Sequence, residues 1–180
     1  EYDAVLDTTT DLSSDEPTNW DKVYTDANSS GSFDAGDPGW LRFSWSPSQY
    51  NFNQWVISDT FDASGYATTV LMFDEYLDDY SGIGDTVAAH VSSDGGATWT
   101  TVWEMADSSW YAPSGPEGYW SRHVIPIGAG TAQMKVAFSF RGVSSFNIDY
   151  LHVDNIFVLD EVPQDHYDVF NVYRDGEMLV

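Results

Sequence analysis

Short runs in which apolar and polar residues alternate with period two recur along this chain between clusters of Gly, Asp, Ser and Pro, and almost no segment shows a helical period. That pattern confines the chain to β-structure. Strand candidates fall at 40–45, 54–60, 67–77, 85–92, 98–105, 120–127, 132–141 and 147–159, with a further one near 1–7. Strands in this number and at this spacing fit an all-β, two-sheet antiparallel jelly-roll sandwich with long acidic loops. In 67–77 both faces are largely apolar, Thr69, Leu71, Phe73 and Glu75 alternating with Val70, Met72 and Tyr76, which marks a central strand. Residues 8–40 are rich in Thr, Ser, Asp and Gly and hold scattered anchors (Leu12, Trp20, Val23, Tyr24 and Phe33), so they read as a long irregular loop with one strand at most.

The length of 180 residues suits one such sandwich, and an apolar share of 42% is too high for a disordered acidic tail. Domain organisation follows: a sandwich over 1–162 and a separate hairpin over 163–180, because Pro163 cannot donate to a central ladder. Six Lys and Arg against 29 Asp and Glu give a net charge of −23, a field that repels phosphate backbones and anionic lipid. Nucleic acid and membrane insertion are therefore not expected. Such self-repulsion calls for screening or for bound cations, of which calcium is the economical choice. The chain has no cysteine, which excludes disulfides, thiolate metal sites and cysteine nucleophiles. It starts at Glu1 with no signal-like run, and reads as a mature or excised piece.

Residues 85–105 form a hairpin pattern: Val87, Ala89 and Val91 alternate, Asp94-Gly95-Gly96 supplies the turn, and Trp99, Thr101 and Trp103 resume the alternation. Within it, Ser92-x-Asp94-x-Gly96-x-Thr98-Trp99 resembles the Asp-box of sialidases and many secreted β proteins. Turn chemistry alone accounts for each of its residues: the Asp side chain accepts backbone N–H bonds, Gly permits a reversed dihedral, and Trp packs beneath.

Four stretches in order carry a wider resemblance: Trp55-Val56-Ile57-Ser58 with Phe61-Asp62 and Ser64-Gly65; Leu71-Met72-Phe73-Asp74-Glu75-Tyr76; the Asp-box hairpin; and Ile148-Asp149-Tyr150-Leu151-His152-Val153-Asp154-Asn155-Ile156-Phe157-Val158. Over residues 1–160 the chain resembles the jelly-roll family of cleaved-adhesin, choice-of-anchor J and MAM-like domains of secreted proteins. It departs from that pattern at Asn155, where a second Asp is usual, and at Tyr2-Asp3, where Phe-Glu is usual. The resemblance implies an extracellular or cell-surface recognition module for carbohydrate or protein, and a calcium ion shared by Asp3 and Asp154 with Asp79 as a further ligand. The competing reading of those three carboxylates is solvated charge.

Eight Trp and eleven Tyr exceed what one core uses. Trp110, Tyr111, Tyr119 and Trp120 flank a Pro/Gly loop and suit either a sugar-stacking platform or a self-packed loop over the sandwich end. Catalytic machinery is not expected. The four histidines form no metal-binding pair at helical spacing, and adjacent acids such as Asp78-Asp79 point to opposite faces of a strand. In the tail, Val169, Phe170, Val172 and Tyr173 form an edge-pairing pattern. It fits strand addition between copies in an extracellular filament, tube or surface layer, or docking on its own domain. A third reading comes from Asn171-Val172-Tyr173-Arg174-Asp175-Gly176-Glu177, which resembles the opening of a fibronectin type III-like domain.

Overall fold

A computed structural model describes residues 2–3, 8–11, 19–24, 29, 39–80, 84–106, 120–160, 173–174 and 177–178. Two antiparallel sheets pack face to face as a jelly-roll sandwich. The first contains β3 (Trp20–Tyr24), β4 (Gly39–Ser44), β11 (Ile148–Leu159), β6 (Thr69–Asp79) and β9 (Trp120–Gly128) in that spatial order, with β1 (Tyr2–Asp3) also on β11. The second runs β2 (Thr8–Asp11), β5 (Tyr50–Ile57), β10 (Lys135–Ser144), β7 (Thr86–Ser92) and β8 (Thr100–Ala106). A 3₁₀ turn, Ser145–Asn147, joins β10 to β11. Among the described residues no helix is long and apolar enough to cross a membrane.

Alternation places the core as expected. Leu41 and Phe43 of β4, Leu71, Phe73 and Leu77 of β6, and Leu151 and Val153 of β11 face Phe52 and Val56 of β5, Val87, Ala89 and Val91 of β7, and Val136, Phe138 and Phe140 of β10. β6 is central, flanked by β11 and β9, and buries Val70 and Met72 on its other face as well. The 8–40 segment departs from expectation, since it supplies a strand to each sheet. Trp20 is the reason on β3: it buries its ring edge-on against Phe43, 5.5 Å between centroids, a stronger anchor than the polar residues around it suggest.

The hairpin forms between β7 and β8, but its second strand breaks alternation. Ala89 faces Trp103 whereas His90 faces Thr101, so Val102 is the extra residue of a bulge and the parity flips there. Trp103 turns into the core against Phe73, while Trp99 and Thr101 lie on the outer face with Trp55 and His90. The Asp-box turn is made as its residues require. Thr98 donates backbone N and Oγ1 to Asp94 (2.8 and 2.6 Å), Ser92 Oγ accepts the Gly96 N–H at 2.8 Å, and Gly95 and Gly96 have φ of 74° and 97°.

β12 (Tyr173–Arg174) and β13 (Glu177–Met178) pair with each other as a two-stranded sheet. Val169, Phe170 and Val172, the boundary at 163, and the fibronectin-like reading of that stretch lie outside the described residues.

At the sandwich end opposite the Asp-box, buried Asp85 ties three segments together. Its Oδ1 accepts the Val143 N–H at 3.0 Å and its Oδ2 accepts Asn147 Nδ2 at 2.8 Å. A Cβ on Gly142 would collide with that carboxylate. Removing the carboxylate strands two part-buried donors, and adding a methyl at 142 displaces it. Asp85→Ala and Gly142→Ala are each expected to lower stability by about 2–3 kcal/mol in urea titrations, and a loss under about 0.5 kcal/mol in both would show that the clamp is ornamental.

Candidate functional site

The outward face of the first sheet carries a line of side chains set by register alone. Asp21 pairs with Arg42, Arg42 with His152, His152 with Tyr76 and Tyr76 with Trp120, so one residue from each of five strands lies in a single cross-strand row. Four inter-strand spacings make that row about 19 Å long. Around the His152 ring stand four aromatic rings: Tyr76 at 5.6 Å, Tyr150 at 5.7 Å, Trp40 at 5.9 Å and Trp120 at 6.3 Å between centroids. Trp120 is 52% exposed, and Trp40 and Tyr150 are exposed as well.

The polar groups of this face are held rigidly. Arg42 donates from Nε and Nη2 to the two oxygens of Asp21 and lies 5.5 Å over the Tyr150 ring. Arg122 grips Asp74 in the same forked way, 2.7 Å at each bond, and Asn155 Nδ2 adds a third at 2.8 Å. Burial pushes the Asp74 carboxyl up, but the bonds from Arg122 and Asn155 with the Arg122 charge outweigh it and leave it below the usual range. Burial lowers the His152 imidazole, with Arg42 adding to that, so the ring is neutral at pH 7; its Nδ1 is buried without a hydrogen-bond partner. Arg42 and Arg122 on this face are each held against a carboxylate, while Asp78, whose charge acts on the His152 ring, and Asp154, in register with Asp74, leave the described part of the face net negative.

Of the aromatic quartet singled out by sequence, Trp120 lies in this platform, and Trp110, Tyr111 and Tyr119 are outside the described residues. Trp40, Tyr76, Tyr150 and His152 escaped notice. Their signal was parity: each sits one step from buried residues such as Leu41, Leu77, Leu151 and Val153, on the face where a solvated strand is ordinarily polar.

Asp79 stands apart from the other two proposed cation ligands. Asp79 is in register with Ile148 and Asp154 with Asp74, six residues further along β11, which separates Asp79 from Asp154 by about 20 Å. Asp3 pairs with Phe157, beyond a bulge in β11. Asp154 Oδ1 accepts the Asn155 N–H at 2.7 Å, and the neighbouring Asp74 is already committed to Arg122 and Asn155. One ion shared by Asp3, Asp79 and Asp154 does not fit this register. No group of three or more His, Asp or Glu among the described residues is placed to hold a metal.

Two other constellations lack access. On the second sheet His90 bridges Ser139 Oγ (2.8 Å) and Thr101 Oγ1 (3.0 Å), but Trp55 stacks flat on the imidazole at 4.0 Å and Ser139 is buried, so no substrate reaches the pair. Inside the sandwich, fully buried Glu75 meets His123 at 3.3 Å, wedged between Phe73 and Trp103.

No protein-family model matches the sequence, and no curated protein matches it either. Solved structures match the fold. The K1 cleaved adhesin domain of Lys-gingipain from Porphyromonas gingivalis W83 superposes with a TM-score of 0.51 at 14% identity, covering 86% of this chain and 98% of that one. The CBM27-1 module of Caldicellulosiruptor saccharolyticus, solved with mannohexaose, gives 0.51 at 14%, covering 85% and 90%. The MgGH51 α-L-arabinofuranosidase, solved with arabinose, gives 0.51 at 11%, covering 88% of this chain and 24% of that enzyme. The cleaved-adhesin jelly roll read from the sequence motifs is thus the fold observed.

Burial, with a smaller contribution from Arg141, holds the His90 imidazole down at about 4. The native state therefore binds fewer protons than the unfolded chain between pH 6.5 and about 4, and this contribution to stability is whole above that interval and is lost as pH falls through it. The melting temperature is expected to fall more steeply across that interval than in a His90→Gln variant, and equal slopes would contradict the assignment.

Proposed function

We propose that the protein is a non-catalytic extracellular recognition module that binds neutral polysaccharide along the Arg42–His152–Tyr76–Trp120 row. The observation that carries this reading is the row itself: aromatic rings beside paired charged side chains on an exposed sheet face. Sugars offer apolar C–H faces that stack on rings and hydroxyls that need fixed donors and acceptors, and Arg42, Asp21 and Arg122 supply these without reorganising. About 19 Å of platform suits several linked sugar rings lying across the strands. The net charge selects against uronate-rich or sulfated chains. Support also comes from the fold, which this chain shares with an adhesin domain and with a module that was solved holding mannohexaose. Calcium plays no part in contact with the sugar under this reading.

Assembly into a filament through residues 164–180 is the competing proposal. Its support is that β12 and β13 pair with each other and join neither sheet of the sandwich. Light scattering of the chain with and without those residues separates the two, since only assembly depends on them.

In affinity electrophoresis, neutral polysaccharides are expected to retard the protein and uronate-containing ones to leave it unmoved. Trp120→Ala and Trp40→Ala are each expected to weaken binding about ten-fold, ~1.4 kcal/mol. Unchanged retardation in both variants would move any sugar site off this face.

A further inference from the structure

The sandwich end built from residues 45–49, Tyr80, Gly84, Asp85 and 143–147 presents a second aromatic surface, apart from the sheet platform. Phe146 packs edge-on against Trp45 (5.4 Å, 83°) and Tyr80 (5.5 Å, 73°). Phe146 is 50% exposed, Val143 55%, Tyr80 61% and Tyr50 71%. These are large apolar side chains left in water by a protein with a well-filled core.

The loops beneath them are fixed by bonds that use none of those rings. Ser145 N–H donates to the Gln49 carbonyl at 2.9 Å, Gln49 N–H to Ser145 Oγ at 2.8 Å, and Ser145 Oγ to the Trp45 carbonyl at 2.8 Å. Asn19 Nδ2 donates to the carbonyls of Ser44 and Pro47, Tyr80 N–H to the Asn147 carbonyl, and Asp85 clamps Val143 and Asn147. The rings are thus held in place before anything binds, which removes much of the ordering cost of association.

Charge identifies the occupant. Residues 45–50 and 143–148 contain no charged side chain, and Asp85 beside them is buried. At the foot of these loops stand Asp78 and Asp149, whereas Arg42 and Arg141 point to the outer sheet faces and are paired with Asp21 and Glu104. The end is an apolar crown on an acidic collar. A second copy, itself at −23, is repelled. Sugar is disfavoured because neighbouring rings stand nearly perpendicular, share no common plane for stacking, and include Phe and Val without a polar handle.

We propose that this loop end docks a protein partner whose apolar pocket is bordered by Lys and Arg. Tyr, Trp and Phe on preformed loops, with Ser between them, are the composition that such contacts favour.

A randomised peptide library displayed on phage, selected on the full chain, tests this. Enriched peptides are expected to combine Leu, Phe or Trp with Lys or Arg, to weaken as salt rises, and to lose about ten-fold or more in affinity on Phe146→Ser and Tyr80→Ser, with melting temperatures confirming that both variants fold. Trp120→Ala is expected to bind the same peptides unchanged, so failure of the polysaccharide reading leaves this result standing. The proposal is overturned if enriched peptides lack basic residues, if they bind both loop variants as well as wild type, if sedimentation shows dimers that those variants abolish, or if the variants lose polysaccharide binding instead.

Discussion

Phenylalanine contacts across the sandwich fix everything that faces outward. Phe43 of β4 touches Phe52 and Phe140 on the opposite sheet, at 5.5 and 4.7 Å, and Phe73 of β6 meets Phe138 of β10 at 5.0 Å. Burying each ring contributes about 1.5–3 kcal/mol, and none can leave the core singly, because side chains alternate strictly along a strand. With Phe43 inward, Arg42 is outward; with Phe73 inward, Asp74 and Tyr76 are outward. The aromatic platform is the reverse side of the core, and a slip of one residue in β4 or β6 would bury the platform and expose the phenylalanines.

Most of the strands were legible in the sequence because alternation and turn residues agree there. The difficulties have separate physical causes. In 8–40 the burial of Trp20 fixes β3 among mainly polar neighbours. In β8 a bulge inserts Val102 and reverses a parity that reads as continuous. In the closing strand, Ile148 to Val158 reads as a carrier of cation ligands, yet register sets Asp79 and Asp154 far apart, and Asn155, with φ of 50° at the bulge, hands its amide to Asp74 instead. The platform was only partly visible since Trp40, Tyr76, Tyr150 and His152 come from three strands remote in sequence, and only the spatial order β4, β11, β6 makes them neighbours.

The excess of acid shapes how the few bases are placed. Arg42, Arg122 and Arg141 each meet a carboxylate, and the first two do so on the sheet face that carries the aromatic row. Buried Glu75 is the expensive member of the set: one oxygen reaches His123 and the other, Oε1, has no partner among the described residues, a cost that the surrounding core must outweigh.

The contact between Gly142 and Asp85 bears on how such chains diverge. Gly142 does not have the left-handed backbone that usually requires glycine; what it lacks is room for a methyl group beside a carboxylate. Neither position can drift alone, so in diverging lineages glycine and aspartate should be kept or exchanged as a couple. That covariation would trace descent of the loop end even where its exposed rings have been rewritten for a different partner.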